Sequence, residues 1–496
     1  MKGTLSPSLG KLQFLETLSI TGMKRLSGNI PDSFSNLTRL KYLILDDNAL
    51  FGQIPSCLAN LKRLEVLSLT GNRLTGQIPP SLGSLKNLVG LTLGNNFLTG
   101  PIPTALKGVT GLKSLDLRFN ALSGHIPDFL GQFRNLTYLV LSGNRLSGPI
   151  PDSLFGLTQV SELSIDQNQL TGPIPTQIGN LISVSVLSLS CNNLTGRVPD
   201  SISHLRNLWN LNLSRNSLTG PLPDKELSAG LPGLLSIDLS YNNLGIRAVP
   251  GWIRSRQLSD VRLAGLKLGG PLPNFIKPGS LRTIDLSDNR FTTGLSGFLE
   301  RMKTLDTANI SNNLLYSDLS TIRLPGQVSV IDLSSNRLFG SLSRLLSNKT
   351  NKFLEVIDVS KNNISGSIPD FRDGLILKVL NLGSNKIAGQ IPVTISKLEE
   401  LERFDISRNR ITGFIPKGLG TLMNLHWLDL SINGLTGGIP NPWPMNGTLT
   451  HVSFRNNKLC GHIPQSKPFN IFPAAAYAHN SCLCGKPLQT RCKGMG

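Results

Sequence analysis

Apolar residues fall along this chain at fixed intervals. In the stretch 61–79 they stand at Leu61, Leu64, Leu67, Leu69, Leu74 and Ile78, and the same comb returns 24 residues later. Two polar landmarks fix the period. Pro31, Pro55, Pro79, Pro103, Pro127, Pro151, Pro175, Pro199 and Pro223 are each 24 residues apart, and so are Asn48, Asn72, Asn96, Asn120, Asn144, Asn168, Asn192 and Asn216. A Leu-x-Leu step predicts a short strand with both leucines inward and the residue between them outward, because side chains alternate across a strand. The Asn that follows has donors and an acceptor, so at a buried bend it can satisfy backbone groups that the turn leaves unpaired. Gly allows the tight corner. Ile-Pro predicts an extended segment before the chain turns back through a short 3₁₀ helix.

One such unit cannot bury its leucine face alone, whereas a stack of them can. The consensus LxxLxxLxLxxNxLxGxIP therefore predicts a leucine-rich-repeat solenoid, an α/β-type right-handed superhelix. A long parallel β-sheet is expected on its concave face, with short 3₁₀ or irregular helical segments on the convex face. About nineteen units fill residues 1–464, the last centred on Asn457, and residues 465–496 form a cysteine-containing C-terminal cap. Gly3–Leu12 aligns with Gly76–Leu85, so the first coil is incomplete, and a leader and an N-terminal cap are expected upstream. Coils at about 243–352 are irregular. Leu266 stands where the Asn belongs, Gly-x-Ile-Pro is missing after Asn289 and Asn313, and the spacing wanders between 23 and 26.

The Gly-x-Ile-Pro ending on a 24-residue unit resembles the plant extracellular leucine-rich-repeat class over essentially the whole chain. The run Asn457-Lys458-Leu459-Cys460-Gly461, followed by Tyr477-Ala478-His479-Asn480-Ser481-Cys482-Leu483-Cys484-Gly485-Lys486-Pro487-Leu488, is similar to the closing cap of polygalacturonase-inhibiting proteins and their receptor-like relatives. This chain has nearly twice their number of repeats. The resemblance implies a secreted, wall-associated or receptor-like protein of plant defence or signalling, with a protein partner on its concave face. That partner would be a secreted microbial polygalacturonase, a plant protein or a membrane receptor kinase for which the chain serves as scaffold or co-receptor. It also implies the pairings Cys460–Cys482 and Cys484–Cys492.

Charge adds an alternative partner. Lys and Arg number 49 against 30 Asp and Glu, a net charge of +19, which draws polyanions and acidic proteins. The cations are scattered, without a dense block or interleaved aromatics, so nucleic acid is disfavoured and an acidic wall polysaccharide such as pectin is the rival ligand. No run of 18 apolar residues occurs, so no membrane span is expected in this chain. Cys57 and Cys191 lie about six coils apart, too far to bridge, and are expected as free thiols. Sequons for N-glycosylation occur at Asn36, Asn135, Asn193, Asn212, Asn309, Asn348, Asn363 and Asn446, of which Asn212 and Asn309 are outward strand residues.

The outward strand positions become an aspartate ladder in the second half of the chain. The candidate partner-binding residues are Asp285, Asp332, Asp358, Asp405 and Asp429, the flanking Arg403, and the projecting aromatics Tyr138, Trp209, Tyr241 and Trp427. Aspartate beside a strand also hydrogen-bonds local backbone, so a structural role for the ladder competes with a binding one. Catalysis is disfavoured: the six His are dispersed, no nucleophile, phosphate or metal motif occurs, and the Asp405/Asp429 pair lacks a cleft. No metal or cofactor is expected.

Overall fold

Leu61, Leu64, Leu67, Leu69, Leu74, Ile78 and Leu82 are all fully buried within one coil of the computed structural model. That coil holds the strand Val66–Ser68, a second strand Arg73–Gln77 and the 3₁₀ helix Pro80–Ser84. Between the strands Asn72 is buried. Its Nδ2 donates to the carbonyls of Leu45 (2.8 Å) and Leu69 (3.1 Å), and its Oδ1 accepts from the backbone of Leu50 at 3.1 Å. Each ladder Asn thus ties its own turn to the preceding coil. The pattern still holds at Asn457, which bonds to Leu430, Phe454 and Leu435.

The structure describes residues 3–346, 352–441, 443, 449–466, 468–490 and 492. The chain divides into two units, Met1–Ile246 and Arg247–Gly496. In the first, ten parallel strands run in sequence order from Thr17–Ser19 through Tyr42–Ile44 to Asn210–Asn212 and Ser236–Asp238, always in register with the middle residue inward. In the second, nine parallel strands run from Asp260–Arg262 to Trp427–Asp429 and His451–Ser453 in the same way. Short 3₁₀ helices return most coils, and Gly131 in one of them sits so close to the Ser153 carbonyl that any Cβ would collide.

Sequence reasoning expected one sheet and missed a second ribbon. In the first unit nine further strands, from Gly3–Thr4 to Asn193–Thr195, pair in parallel along the x-Leu-x-Gly-x segments. In the second unit the ribbon is broken: Gly269–Pro271 pairs with Arg290–Thr293, and five strands run from Ala388–Gln390 to Cys482–Cys484. The irregular coils replace 3₁₀ turns by short α-helices, Gly251–Ser255 and Leu295–Glu300, and Asp224–Ala229 does so just before them. Leu266, in the Asn position, is buried instead, and its backbone N–H donates to Asn289 Oδ1 of the next coil at 3.2 Å.

The residue before the ladder Asn is left-handed in coil after coil: Asp47, Asn95, Phe119, Arg215, Tyr241, Asn312, Ile432 and Asn456 all have φ between 50° and 56°. This conformation costs an ordinary L-residue about 1–2 kcal/mol, less for Asn, and is least natural for a β-branched side chain. Ile432→Asn, copying Asn95, Asn312 and Asn456, is therefore expected to raise stability by about 1 kcal/mol in denaturant titration. An unchanged or lower midpoint would show that the Ile432 side chain contributes more by packing than its backbone loses.

At the C-terminal end Cys460–Cys482 and Cys484–Cys492 are both bridged, and Cys460 and Cys482 lie opposite each other on paired strands. Beneath them Tyr477 is fully buried, and its hydroxyl donates to the Phe469 carbonyl at 2.8 Å. Phe454 lies 6.0 Å from the Tyr477 ring and 5.9 Å from Phe469, which also meets Trp443 edge-on at 5.2 Å. Burial pushes the Tyr477 phenol above its ordinary range.

Candidate binding face

In every strand of both main sheets the first and third residues point away from the leucine core, so each unit presents an open sheet face. In the first unit Tyr138 opens its strand and is 49% exposed, Trp209 precedes its strand and is 44% exposed, and Tyr241 lies at a left-handed turn beneath the Arg215 guanidinium, 4.4 Å away. Trp209 and Tyr241 flank neighbouring strands, Asn210–Asn212 and Ser236–Asp238, while Tyr138 lies three strands earlier.

In the second unit the third strand residues form one column in register: Asp285, Asn309, Asp332, Asp358, Asn381, Asp405, Asp429 and Ser453. All five predicted aspartates are half-buried, and each spends one oxygen on its own turn. Oδ1 accepts from the N–H two residues on: Ser287 at 3.0 Å, Ser334 at 2.9 Å, Ser360 at 2.9 Å, Ser407 at 2.9 Å and Ser431 at 2.9 Å. Asn309 and Asn381 serve the same turn with an amide oxygen. The ladder is thus structural in one oxygen and leaves the other outside the turn. Burial, the largest cause, raises Asp332 and Asp405 above the usual carboxylate range, and the neighbouring charges of Asp358 and Asp429 add to it.

The first strand residues form a second column of different character. Val330, Val356 and Val379 are in register, followed by Arg403, Trp427 and His451. Trp427 is no projecting anchor. It is half-buried, stacked on His451 with ring centres 3.7 Å apart and covered on its other face by Arg403 at 4.4 Å. Trp427 Nε1 and His451 Nε2 are both buried without a hydrogen-bond partner. Arg403 also approaches Asp405 at 3.9 Å. Spacing alone could not reveal this stack, since it depends on which side chains meet across three strands.

Other candidates fall elsewhere. Among the described sequons Asn36, Asn135, Asn193 and Asn363 are exposed and off the main sheets, Asn193 opening a strand of the second ribbon. Asn212 and Asn309 are half-buried, and each Oδ1 accepts from the N–H and hydroxyl of the sequon serine two residues on. Asn348 and Asn446 lie outside the described residues. On protein secreted from a eukaryotic cell, peptide mapping is expected to find glycans on the exposed four and bare amides at Asn212 and Asn309, whose half-buried side chains are held against their own turns through Oδ1. Full occupancy at Asn212 would defeat that expectation. Cys57 and Cys191 are free thiols, and burial, then Asp32, raises the Cys57 thiol above its ordinary range. Among the described residues no helix is long and apolar enough to cross a membrane, and no cluster of side chains could hold a metal.

Comparison with known proteins agrees with this architecture. Leucine-rich-repeat family models match residues 86–146, 110–170, 158–218 and 376–435, and others match 39–61, 63–85, 280–302 and 353–374. A probable leucine-rich repeat receptor-like protein kinase of Arabidopsis thaliana is 34% identical over 87 residues, which is 17% of this chain and 9% of the kinase. The plant peptide hormone receptor RGFR1, solved in complex with RGF2, is 30% identical over 97% of this chain and 81% of its own, with a TM-score of 0.73. The ectodomain of the Arabidopsis receptor kinase HAESA, solved with an N-terminally extended IDA peptide hormone, is 32% identical over 99% of this chain and 82% of its own, with a TM-score of 0.72. HAESA has also been solved with both IDA and the co-receptor SERK1, and there the TM-score is 0.68 at 32% identity over 97% of this chain and 80% of that one.

Proposed function

Since the chain belongs to the plant extracellular leucine-rich-repeat proteins, we propose that it is a recognition module that binds a peptide or protein ligand outside the cell, on the open face of its parallel sheet, and carries out no catalysis. The observation that carries this reading is the likeness, over nearly the whole chain, to receptor ectodomains solved with peptide hormones. The face itself supports it. A rigid leucine spine holds two rows of outward side chains in fixed register, so a ligand is met by a preorganised surface and little ordering entropy is lost on binding. The cysteine-closed end supports an oxidising compartment.

The test is to immobilise the secreted protein, capture ligands from plant extracellular fluid, and map the complex by hydrogen exchange. Protection of outward strand positions such as 210–212 or 356–358 is expected. Protection confined to the 3₁₀ turns would sink the open-face reading. A second reading, inhibition of a secreted microbial polygalacturonase, is supported by the likeness of the Cys460–Leu488 cap to such inhibitors. It requires inhibition at micromolar protein. Direct pectin binding rests only on the +19 charge and requires retention on polygalacturonate that weakens steeply with salt.

A further inference from the structure

The open face of the second unit is two-toned. Its outward strand positions carry Asp260, Asp285, Asp332, Asp358, Asp405 and Asp429 against Arg262 and Arg403, although the chain as a whole is strongly basic. Beside the aspartate column run Val330, Val356 and Val379, half-buried apolar side chains on an uncovered sheet face. Where the valines end, the Arg403–Trp427–His451 stack begins, holding two ring nitrogens without partners. Unpaired buried groups of that kind are rare in folded chains, and a ligand carbonyl can satisfy them once the stack opens.

Resting on the open-face reading above, we propose that this face takes an extended basic peptide, with lysine or arginine side chains over the aspartate column and apolar side chains over the valines. Charge complementarity names the occupant. Each aspartate keeps Oδ2 outside its own turn; that of Asp358 accepts from Asn381 at 2.6 Å and that of Asp405 lies 3.9 Å from Arg403. Mutual repulsion along the column (Asp332 with Asp358, Asp405 with Asp429) is relieved by a cation lying over it. The global positive charge opposes such a ligand only at long range. Screening over about 8 Å at physiological salt leaves the local column in control. Lengths agree as well: strands repeat every ~4.8 Å and same-side residues of an extended peptide every ~6.6 Å, so three ligand intervals match about four strand intervals.

The chain itself supplies a variant that keeps the fold. Asn309 and Asn381 already accept the turn hydrogen bond, so Asp332→Asn, Asp358→Asn, Asp405→Asn and Asp429→Asn together remove charge and retain the turns. The probes are fluorescein-labelled decapeptides alternating lysine with valine or glutamate with valine, read by fluorescence anisotropy on the full chain. The lysine peptide is expected to bind, to weaken at least about tenfold in the quadruple variant, and to weaken with added salt. Equal binding of the lysine peptide to both proteins, or preference for the glutamate peptide, overturns this proposal while peptide recognition by the open face stands. Binding of neither peptide also overturns it, and the open-face reading then depends on the exchange map alone.

Discussion

Asn168→Ala is expected to cost about 3–5 kcal/mol of stability, far more than a single exposed-face substitution such as Ser188→Ala, which should stay within about 0.5 kcal/mol. Asn168 is buried, and its side chain bonds to backbone of its own turn and of the preceding coil. Nδ2 donates to the carbonyls of Leu141 (3.0 Å) and Ile165 (3.2 Å), and Oδ1 accepts from Leu146 N at 3.0 Å. The Leu141 and Ile165 carbonyls are each shared with a neighbouring ladder residue, Asn144 and Asn192. Alanine replaces none of these bonds: the Leu146 N–H is left without a partner, at about 1–3 kcal/mol, and each carbonyl loses one of its bonds, at about 1 kcal/mol apiece. Two of the partners belong to the preceding coil, so the loss falls on the contact between neighbours, the term that holds a repeat stack together. The measurement is a denaturant midpoint together with amide exchange at Leu146, whose protection should collapse first. Wild-type protection at Leu146 would mean that water or a backbone shift replaces the amide, and the ladder would then be a convenience of the turn and not its support.

The same residue illustrates what the sequence makes legible. A 24-residue period in Leu and Asn is a packing rule written directly into the chain, because every coil buries the same positions against the next. The second ribbon was hidden for a physical reason. Arg73-Leu74-Thr75-Gly76-Gln77 holds one buried apolar residue and no alternating pattern, and it is a strand only because the neighbouring coil offers backbone groups at the right height. The left-handed position was hidden too, since Asp, Asn, Phe, Arg, Tyr and Ile all occupy it: the turn imposes the conformation, whatever the side chain. Of the candidate binding residues, the outward placement of the aspartates followed from alternation, but their commitment to the turn required the backbone geometry. The partial burial of Trp427 could not be read from the sequence, because it is set by Arg403 and His451, each 24 residues away in sequence and one strand away in space.

Tyr477→Ala is expected to be as damaging as loss of a ladder Asn, but at one end of the chain. Removing a fully buried aromatic costs about 3–5 kcal/mol, because the transfer term and the cavity term add. Here the cavity would open between Phe454 and Phe469, where the last coil meets the cap. Phe454 N donates to the Ala476 carbonyl at 2.7 Å and Asn456 N to the Ala478 carbonyl at 2.9 Å, so both bonds depend on the segment that Tyr477 anchors. The Cys460–Cys482 bridge keeps the segment tethered, so the expected state is a loosened cap on an otherwise folded stack: fast exchange at Phe454 and Asn456, with Leu146 still protected. Tyr477→Phe separates packing from hydrogen bonding. It deletes only the 2.8 Å bond to Phe469 and should cost about 1–2 kcal/mol, with the cap amides still slow. If the phenylalanine variant frees the cap as fully as alanine does, the hydroxyl is what holds this end closed and the aromatic cluster is secondary.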